Sequence, residues 1–459
     1  MRVALIFMAG LALRFTLIAR FPLIFGGDPM VRMIHRDHIL ISHQLPLLQL
    51  MVAGMARLTH NYLITMAVMA IIGASVGAGF YLLARDLFEE PVAFVAALWI
   101  VTNPFLTGNS IVPFQESLML ALLLFALHFL YSEQTWAASV CLSLACFTRF
   151  EAWAAAPVFA AAFLWKRGVT PLNMARALLM FGWAPFAWIV FRRGLAPTGS
   201  YVIESHVTAA RLMRWIYLGY ITFKFTPAVV IALGLFGLWL LWRDRWMNRL
   251  WPLVAFLALF TIALLFSAHG DLPDPERRIA AREATLWIAA VSFLAAIALD
   301  KLPRYRLALA TAGVVLSTWG SYRFVEHEAS DPHVLLSYRV AKFFDAALQP
   351  GERALILAPP WPRQVFDSYL AQARETGGEP GYEAAVRNLA DADMSPPAYQ
   401  RMLIHSRFDR DRFLPAPGPC TEWIAIWSDY GPYPDPFPPR TTLEYRGLSV
   451  RISQRNCPR

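Results

Sequence analysis

Apolar side chains run for a bilayer's width at many places along this chain before charged or proline-rich breaks interrupt them. The run 62–84 carries no acidic or basic side chain until its end, and about 20 such residues suffice to cross hydrocarbon about 30 Å thick. Runs of this kind occur near 3–20, 62–84, 91–107, 113–131, 136–149, 150–165, 174–191, 222–242, 250–267, 284–299 and 305–320, which predicts eleven membrane helices. Arg14 and Arg20 interrupt the first run, and no small-residue cleavage site follows, so it reads as a span and not as a signal peptide.

An odd number of spans puts the two termini on opposite sides. With the N terminus inside, the cytoplasmic breaks are Arg85-Asp86, Ser132–Thr135, Lys166-Arg167, the Arg243/Arg245/Arg249 cluster and Lys301/Arg304/Arg306. Four of these five are basic, as the positive-inside rule requires. The outer loops nevertheless hold Arg32, Arg36, Arg192, Arg193, Arg211, Arg214, Arg277, Arg278 and Arg282, and cations on that side ask for another role, such as binding phosphate.

Two stretches break the pattern. Residues 25–60, between the first and second runs, are too polar at the start to span and too apolar at the end to be a free loop. They predict a structured outer loop, 21–61, with an amphipathic helix near Pro46–Leu58. From Tyr322 onward Arg, Asp, Glu and Pro crowd the chain and no run spans. The division is therefore a membrane domain, 1–321, and a small C-terminal α/β domain in water, 322–459. Its predicted elements are strands at Ala354–Ala358 and Trp423–Trp427, a helix at Pro362–Glu375 and a hairpin over 441–453.

Composition agrees with this division: only 16% of the 459 residues are charged and 57% are hydrophobic, whereas soluble domains carry about 25% charged residues. The net charge of +9 needs no nucleic acid, because cytoplasmic loops collect Lys and Arg. Cys141 and Cys146 lie in an apolar run as small buried side chains. Cys420 and Cys457 lie in the tail, where an extracytoplasmic location would permit a disulfide.

Candidate chemistry gathers at the membrane boundary. Asp28 and Asp37, with His35, His38 and His43, sit in the first outer loop, and a carboxylate beside a low-dielectric surface becomes a usable general base near neutral pH. Asp28, in Gly26-Gly27-Asp28-Pro29, has an alternative as a turn or helix cap. Glu116 heads an apolar helix, either complementing its dipole or serving a site. Arg149 and Glu151 flank Phe150 at an outer span boundary, either as a structural pair or as the support of the first loop. Arg277, Arg278 and Arg282 precede an outer span end, where guanidinium forks suit phosphate oxygens and where snorkelling arginines also occur. No Cys/His cluster or acidic triad demands a metal.

Read in order from Asp28 to Glu151, the acidic first loop, LPLLQLMVAGMARL, LLARDLF, VPFQESLMLALLLFALHFL and LACFTRFEAW resemble GT-C membrane glycosyltransferases of the protein mannosyltransferase and aminoarabinose transferase kind, family 39. The resemblance covers about a third of the chain well and the later spans by topology alone. It implies a GT-C-like helical bundle of about eleven or more spans in the plasma membrane, with the C-terminal domain extracytoplasmic. It also implies transfer of a sugar from a polyprenyl-phosphate donor to a lipid, glycan or protein acceptor, with inversion. By the same resemblance Asp28 is the catalytic base and Glu116 takes a recurrent acidic position. From the residues themselves, Asp37, Arg149 and Glu151 are candidates for facing the acceptor or orienting the loop, and Arg277, Arg278 and Arg282 for holding the donor phosphate. The family often has a second acid directly beside the first, where this chain has Pro29. The one cofactor candidate is a divalent metal ion joining Asp28 and Glu116.

Residues 427–431, WSDYG, are similar to the Trp-Trp-Asp-Tyr-Gly signature of oligosaccharyltransferases, a variant of the same fold, but lie near the chain's end. A transporter or lipid flippase is the alternative from another class. Internal repeats would favour it, and none is evident.

Overall fold

The computed structural model describes residues 1–26, 29, 32–33, 45–58, 62–195, 201–203, 209–244, 246–269, 284–347, 354–358, 402–406, 423–428 and 438–454. These residues divide into two compact units, Met1–Arg20 with Ile39–Met51 and Met66–Phe324, and Phe21–His38 with Val52–Thr65 and Val325–Arg459.

The first unit is helical, as hydrocarbon requires of a backbone that has no water to pair with. Helices occupy all eleven predicted runs. Arg2–Arg20, Tyr62–Leu87 and Pro171–Phe191 are each long and apolar enough to cross a membrane. Ala284–Asp300 and Pro303–Ala329 pass that test together but turn by 109° at their break, and other apolar helices are shorter. Two differences from expectation stand out. The run 222–242 is broken at Thr226-Pro227, and its start belongs to a separate helix, Ala209–Phe225, whose sequence AARLMRWIYLGYITFKF is too charged to read as a span.

The five turns expected on one side do share one end of the unit. His128 Nδ1 and Asp86 Oδ2 are 2.6 Å apart, and the Tyr131 hydroxyl donates to Arg249 O at 2.7 Å. Lys166 pairs with Glu133 at 3.2 Å, Lys301 with Asp244 at 3.3 Å and Arg306 with Glu89 at 3.2 Å. Arg2 reaches Glu90 at 3.0 Å, which brings the N terminus to the same end. The Arg243 side chain, bonded at 2.8 Å, and Lys301 together hold the Asp244 carboxyl below the usual carboxylate range. Trp136, Trp165 and Trp242, largely exposed, stand beside these polar turns as interfacial tryptophans do.

A buried break interrupts the helical pattern at the opposite end. The Glu90–Val101 helix stops before Asn103-Pro104, and a short helix, Pro104–Asn109, follows. Asn103 Oδ1 accepts from Phe105 N at 3.0 Å and Leu106 N at 3.2 Å, an N-cap with proline at the first helical position. Those amides would otherwise have closed onto Val101 O and Thr102 O. The two carbonyls are met instead from other elements: Val101 O by Arg14 and Thr107, and Thr102 O by the Ser321 hydroxyl at 2.7 Å. Asn103 Nδ2 donates to Phe225 O at 3.0 Å, and Phe105, Phe225 and Phe324 pack ring to ring around the break.

In the second unit a five-stranded mixed sheet follows the helix Pro332–Ala347, which Asp331 caps through His333 N and Val334 N. Strands β1 (Tyr201–Ile203) and β2 (Ser267–His269) form a separate antiparallel pair in the first unit. The larger sheet comprises β3 (Ala354–Ala358), β4 (Met402–Ser406), β5 (Trp423–Trp427), β6 (Pro439–Tyr445) and β7 (Leu448–Gln454), in the order β4-β3-β5-β7-β6. β3 runs parallel to β4 and β5, and β7 antiparallel to β5 and β6. The β6–β7 turn is Arg446-Gly447, both at positive φ, the geometry that matches the strand twist. β3, β5 and the hairpin lie where the pattern predicts them. β4 was not foreseen, and the predicted helix Pro362–Glu375 lies outside the described residues.

The closest helix packing is between Ala228–Arg243 and Ala284–Asp300. A Cβ added at Gly237 would lie 1.8 Å from Leu294 O, and one at Gly234 would lie 2.9 Å from Val291 Cγ1. Small residues bring backbones this close in membrane helices. Gly237→Ala is therefore expected to force these helices apart and cost about 1–3 kcal/mol. The check is the thermal midpoint of the detergent-solubilised full chain, with Gly54→Ala, where a Cβ meets nothing within 4 Å, as control.

Candidate active site

Three of the predicted site residues come together at the end of the first unit opposite the basic turns. Glu116 lies in the first turn of the Gln115–Tyr131 helix and is only 1% exposed. Arg149 precedes the 3₁₀ helix Phe150–Ala154 in extended conformation (φ −150°, ψ 147°), which directs its chain away from that helix. Its Nη1 donates to Glu116 Oε1, its Nε to Glu151 Oε2 at 2.9 Å, and its Nη2 to Glu151 Oε1. The guanidinium thus forks onto Glu151 with two bonds and reaches Glu116 with a third, as only arginine can.

The local sequence explains the placement. The Thr135–Cys146 helix ends at Phe147, whose amide closes onto Ser143 O and Leu144 O. The Phe147 carbonyl turns outward and accepts from Leu47 N at 3.0 Å, so the Pro46–Leu58 helix begins at this turn. That helix has the predicted bounds and buries the face Leu48, Gln49, Val52, Ala53 and Ala56. Trp153 Nε1 donates to Cys146 O at 2.9 Å, and Phe150 packs edge-on against Trp153 with centroids 5.0 Å apart. Cys141 and Cys146 are free thiols.

Asp28, Asp37, Arg277, Arg278 and Arg282 lie outside the described residues, as do Cys420 and Cys457. Of the first loop, Pro29, Arg32 and Met33 are described and buried. Within the same unit the Tyr62 hydroxyl donates to Pro22 O and holds the start of that loop. Asp331-Pro332 shows the capping geometry that is the structural alternative for Asp28-Pro29. Trp427, of the WSDYG stretch, ends β5 and is buried, while residues 429–431 lie outside the described ones.

Among the described residues no group of three His, Cys, Asp or Glu side chains is placed to hold a metal ion.

Sequence reasoning took Arg14 only as an interruption of the first span. It is 1% exposed and joins three elements through hydrogen bonds. The available signal was its company of glycines, Gly10 one turn before it and Gly73 and Gly77 in the next span.

No family model and no curated protein matches the sequence significantly. Solved structures do. ArnT from Cupriavidus metallidurans, bound to undecaprenyl phosphate, superposes with a TM-score of 0.61 at 13% identity, over 98% of this chain and 97% of that one. Its apo structure gives 0.60 over the same shares. The fold is of the GT-C type. An oligosaccharyltransferase from Archaeoglobus fulgidus, in complex with zinc and sulfate, gives 0.47 at 16% identity; 80% of this chain is covered and spans 61% of that one's length.

Arg149 is expected to hold Glu116 in its buried place. Arg149→Gln removes the cationic partner of the buried Glu116 carboxylate and should destabilise the chain by about 3–5 kcal/mol. Glu116→Gln combined with Arg149→Gln should recover a large part of that loss. Equal destabilisation in the single and double variants, read from thermal midpoints, would show that the two side chains are not coupled.

Proposed function

We propose that the chain is an inverting glycosyltransferase that moves a sugar from a polyprenyl-phosphate donor to an acceptor on the extracytoplasmic face of the membrane. The observation that carries this reading is the Glu116–Arg149–Glu151 cluster, set where the first-loop helix Pro46–Leu58 meets the bundle. The GT-C fold supports it, because a protein of that fold, ArnT, holds undecaprenyl phosphate. In the proposed topology the bundle crosses the membrane about eleven times, with the N terminus and basic turns cytoplasmic and the C-terminal domain outside.

The chemistry is a single displacement. The acceptor hydroxyl oxygen forms a bond to the anomeric carbon as the bond from that carbon to the phosphate oxygen breaks, which inverts the centre. The electron pair leaves with the polyprenyl phosphate, and the hydroxyl proton passes to Asp28. A general base in such a step contributes about 10²–10⁴-fold. Arg277, Arg278 and Arg282 take the charge that develops on the leaving phosphate. Glu116 acts through Arg149, which it shares with Glu151, to set the turn that receives the first-loop helix, and Asp37 faces the acceptor. A lipid, glycan or protein hydroxyl would serve as acceptor. A divalent ion, where one binds, would supply charge stabilisation at the phosphate.

The test is Asp28→Asn in proteoliposomes supplied with labelled polyprenyl-phosphate sugar. Transfer should fall by about 10²-fold or more, while the thermal midpoint and binding of the donor lipid persist. Transfer at the unmodified rate would overturn the assignment.

A further inference from the structure

Arg14 is a full cationic side chain inside the first membrane helix, and burying it is costly unless something requires it there. Its surroundings show what does. Nε donates to Ser110 Oγ at 2.6 Å, and Nη1 donates to both Gly10 O and Val101 O at 3.0 Å. Among the described residues no carboxylate lies within ion-pair distance, so the acceptors are a hydroxyl and carbonyls. Val101 O is one of the two carbonyls left over at the Asn103-Pro104 break. Ser110 caps the short helix after that break, and its hydroxyl donates to Thr107 O at 3.0 Å. One planar guanidinium therefore joins the end of the Glu90–Val101 helix to the C-cap of the Pro104–Asn109 helix.

The neighbouring helix is shaped around this grip. A Cβ at Gly73 would lie 2.3 Å from Ser110 Oγ and 2.4 Å from Arg14 Nε, and one at Gly77 would lie 2.7 Å from Val101 Cβ. A Cβ at Gly10 would lie 2.4 Å from Val101 Cγ2. Three elements thus meet at Arg14 with no room for a side chain at the crossing.

From Ser110 the chain runs through Ile111, Val112 and Pro113, all buried, to Phe114 and then directly into the helix that carries Glu116. We infer that Arg14 is a positioning residue for the Glu116–Arg149–Glu151 cluster: it fixes the 101–114 segment from which the Glu116 helix starts. This inference rests on the proposed role of that cluster. Arg14 acts through Ser110 and Val101 and touches no member of the cluster directly. Lysine, a point donor on a flexible stem, reaches one of these acceptors but lacks the fork that holds two at once.

The experiment compares the full chain with Arg14→Lys, Arg14→Gln and Ser110→Ala in proteoliposomes. Hydrogen exchange is read on peptides covering 101–116 and, as reference, 228–243 and 284–300. Exchange in 101–116 should rise by about tenfold while the reference helices keep their protection. In the transfer assay kcat should fall by about tenfold or more, with the donor KM unchanged, because a small misplacement acts on the reacting geometry. Arg14→Lys should lie between the original chain and Arg14→Gln. Unchanged exchange in 101–116, or a rise spread equally over all three regions, would overturn the inference and leave Arg14 as a packing element. Ser110→Ala removes one acceptor only and keeps the test available if the Arg14 variants fail to fold. Failure of the function itself is separable: Asp28→Asn would then retain transfer while the local exchange response of the Arg14 variants persists.

Discussion

A backbone carbonyl shut away from water must find its partner within the protein, and the break at Asn103-Pro104 puts that demand on two carbonyls at once. Capping by Asn103 takes the amides of Phe105 and Leu106 and leaves the carbonyls of Val101 and Thr102 over. Partners come from Arg14 in the first helix, Thr107 within the segment and Ser321 in the last helix of the unit. Elements far apart in sequence are thereby tied to one bend, and the Glu116 helix leaves directly from it. Irregular backbone here is tolerated because it is enclosed by protein.

The Gln115–Tyr131 helix is held at both extremities by polar contacts to a carboxylate or guanidinium. Glu116 bonds to Arg149 at one end, and at the other His128 faces Asp86. Neither contact involves the apolar middle of the helix, so its long axis is fixed by polar contacts and its rotation by packing. Polar pairing restricted to the ends suits a helix in a low-dielectric surround, where each charge needs a partner but the centre needs none.

Much of this was legible in the sequence. Every apolar run became helix because hydrocarbon leaves few alternatives, and the basic turns gathered at one end as their spacing implied. The bounds of the Pro46–Leu58 helix followed from its apolar face, the hairpin from its alternation and β5 from its short apolar run. Pairings across distance were less legible. Glu116, Arg149 and Glu151 were each visible as candidates, yet nothing local shows that Arg149 reaches Glu116 across 33 positions. Arg14 looked like a blemish in a span because its acceptors lie 87 and 96 residues away. β4, with the sequence MLIHS, pairs in parallel with a strand far upstream, and a short run of that kind carries too little pattern to declare itself. Ala209–Phe225 was hidden by its charges.

The short helices set a dimension. At about 1.5 Å per residue, the Ala228–Arg243 helix of 16 residues and the Ala284–Asp300 helix of 17 stand roughly 24–26 Å tall. An average bilayer core is about 30 Å thick. Where such a helix borders lipid, the bilayer thins or flanking residues such as Trp242 and Arg243 snorkel, and each ångström of mismatch carries a modest cost. The 26-residue Tyr62–Leu87 helix, about 39 Å long at the same rise, exceeds that thickness, so mismatch of both signs occurs within one bundle.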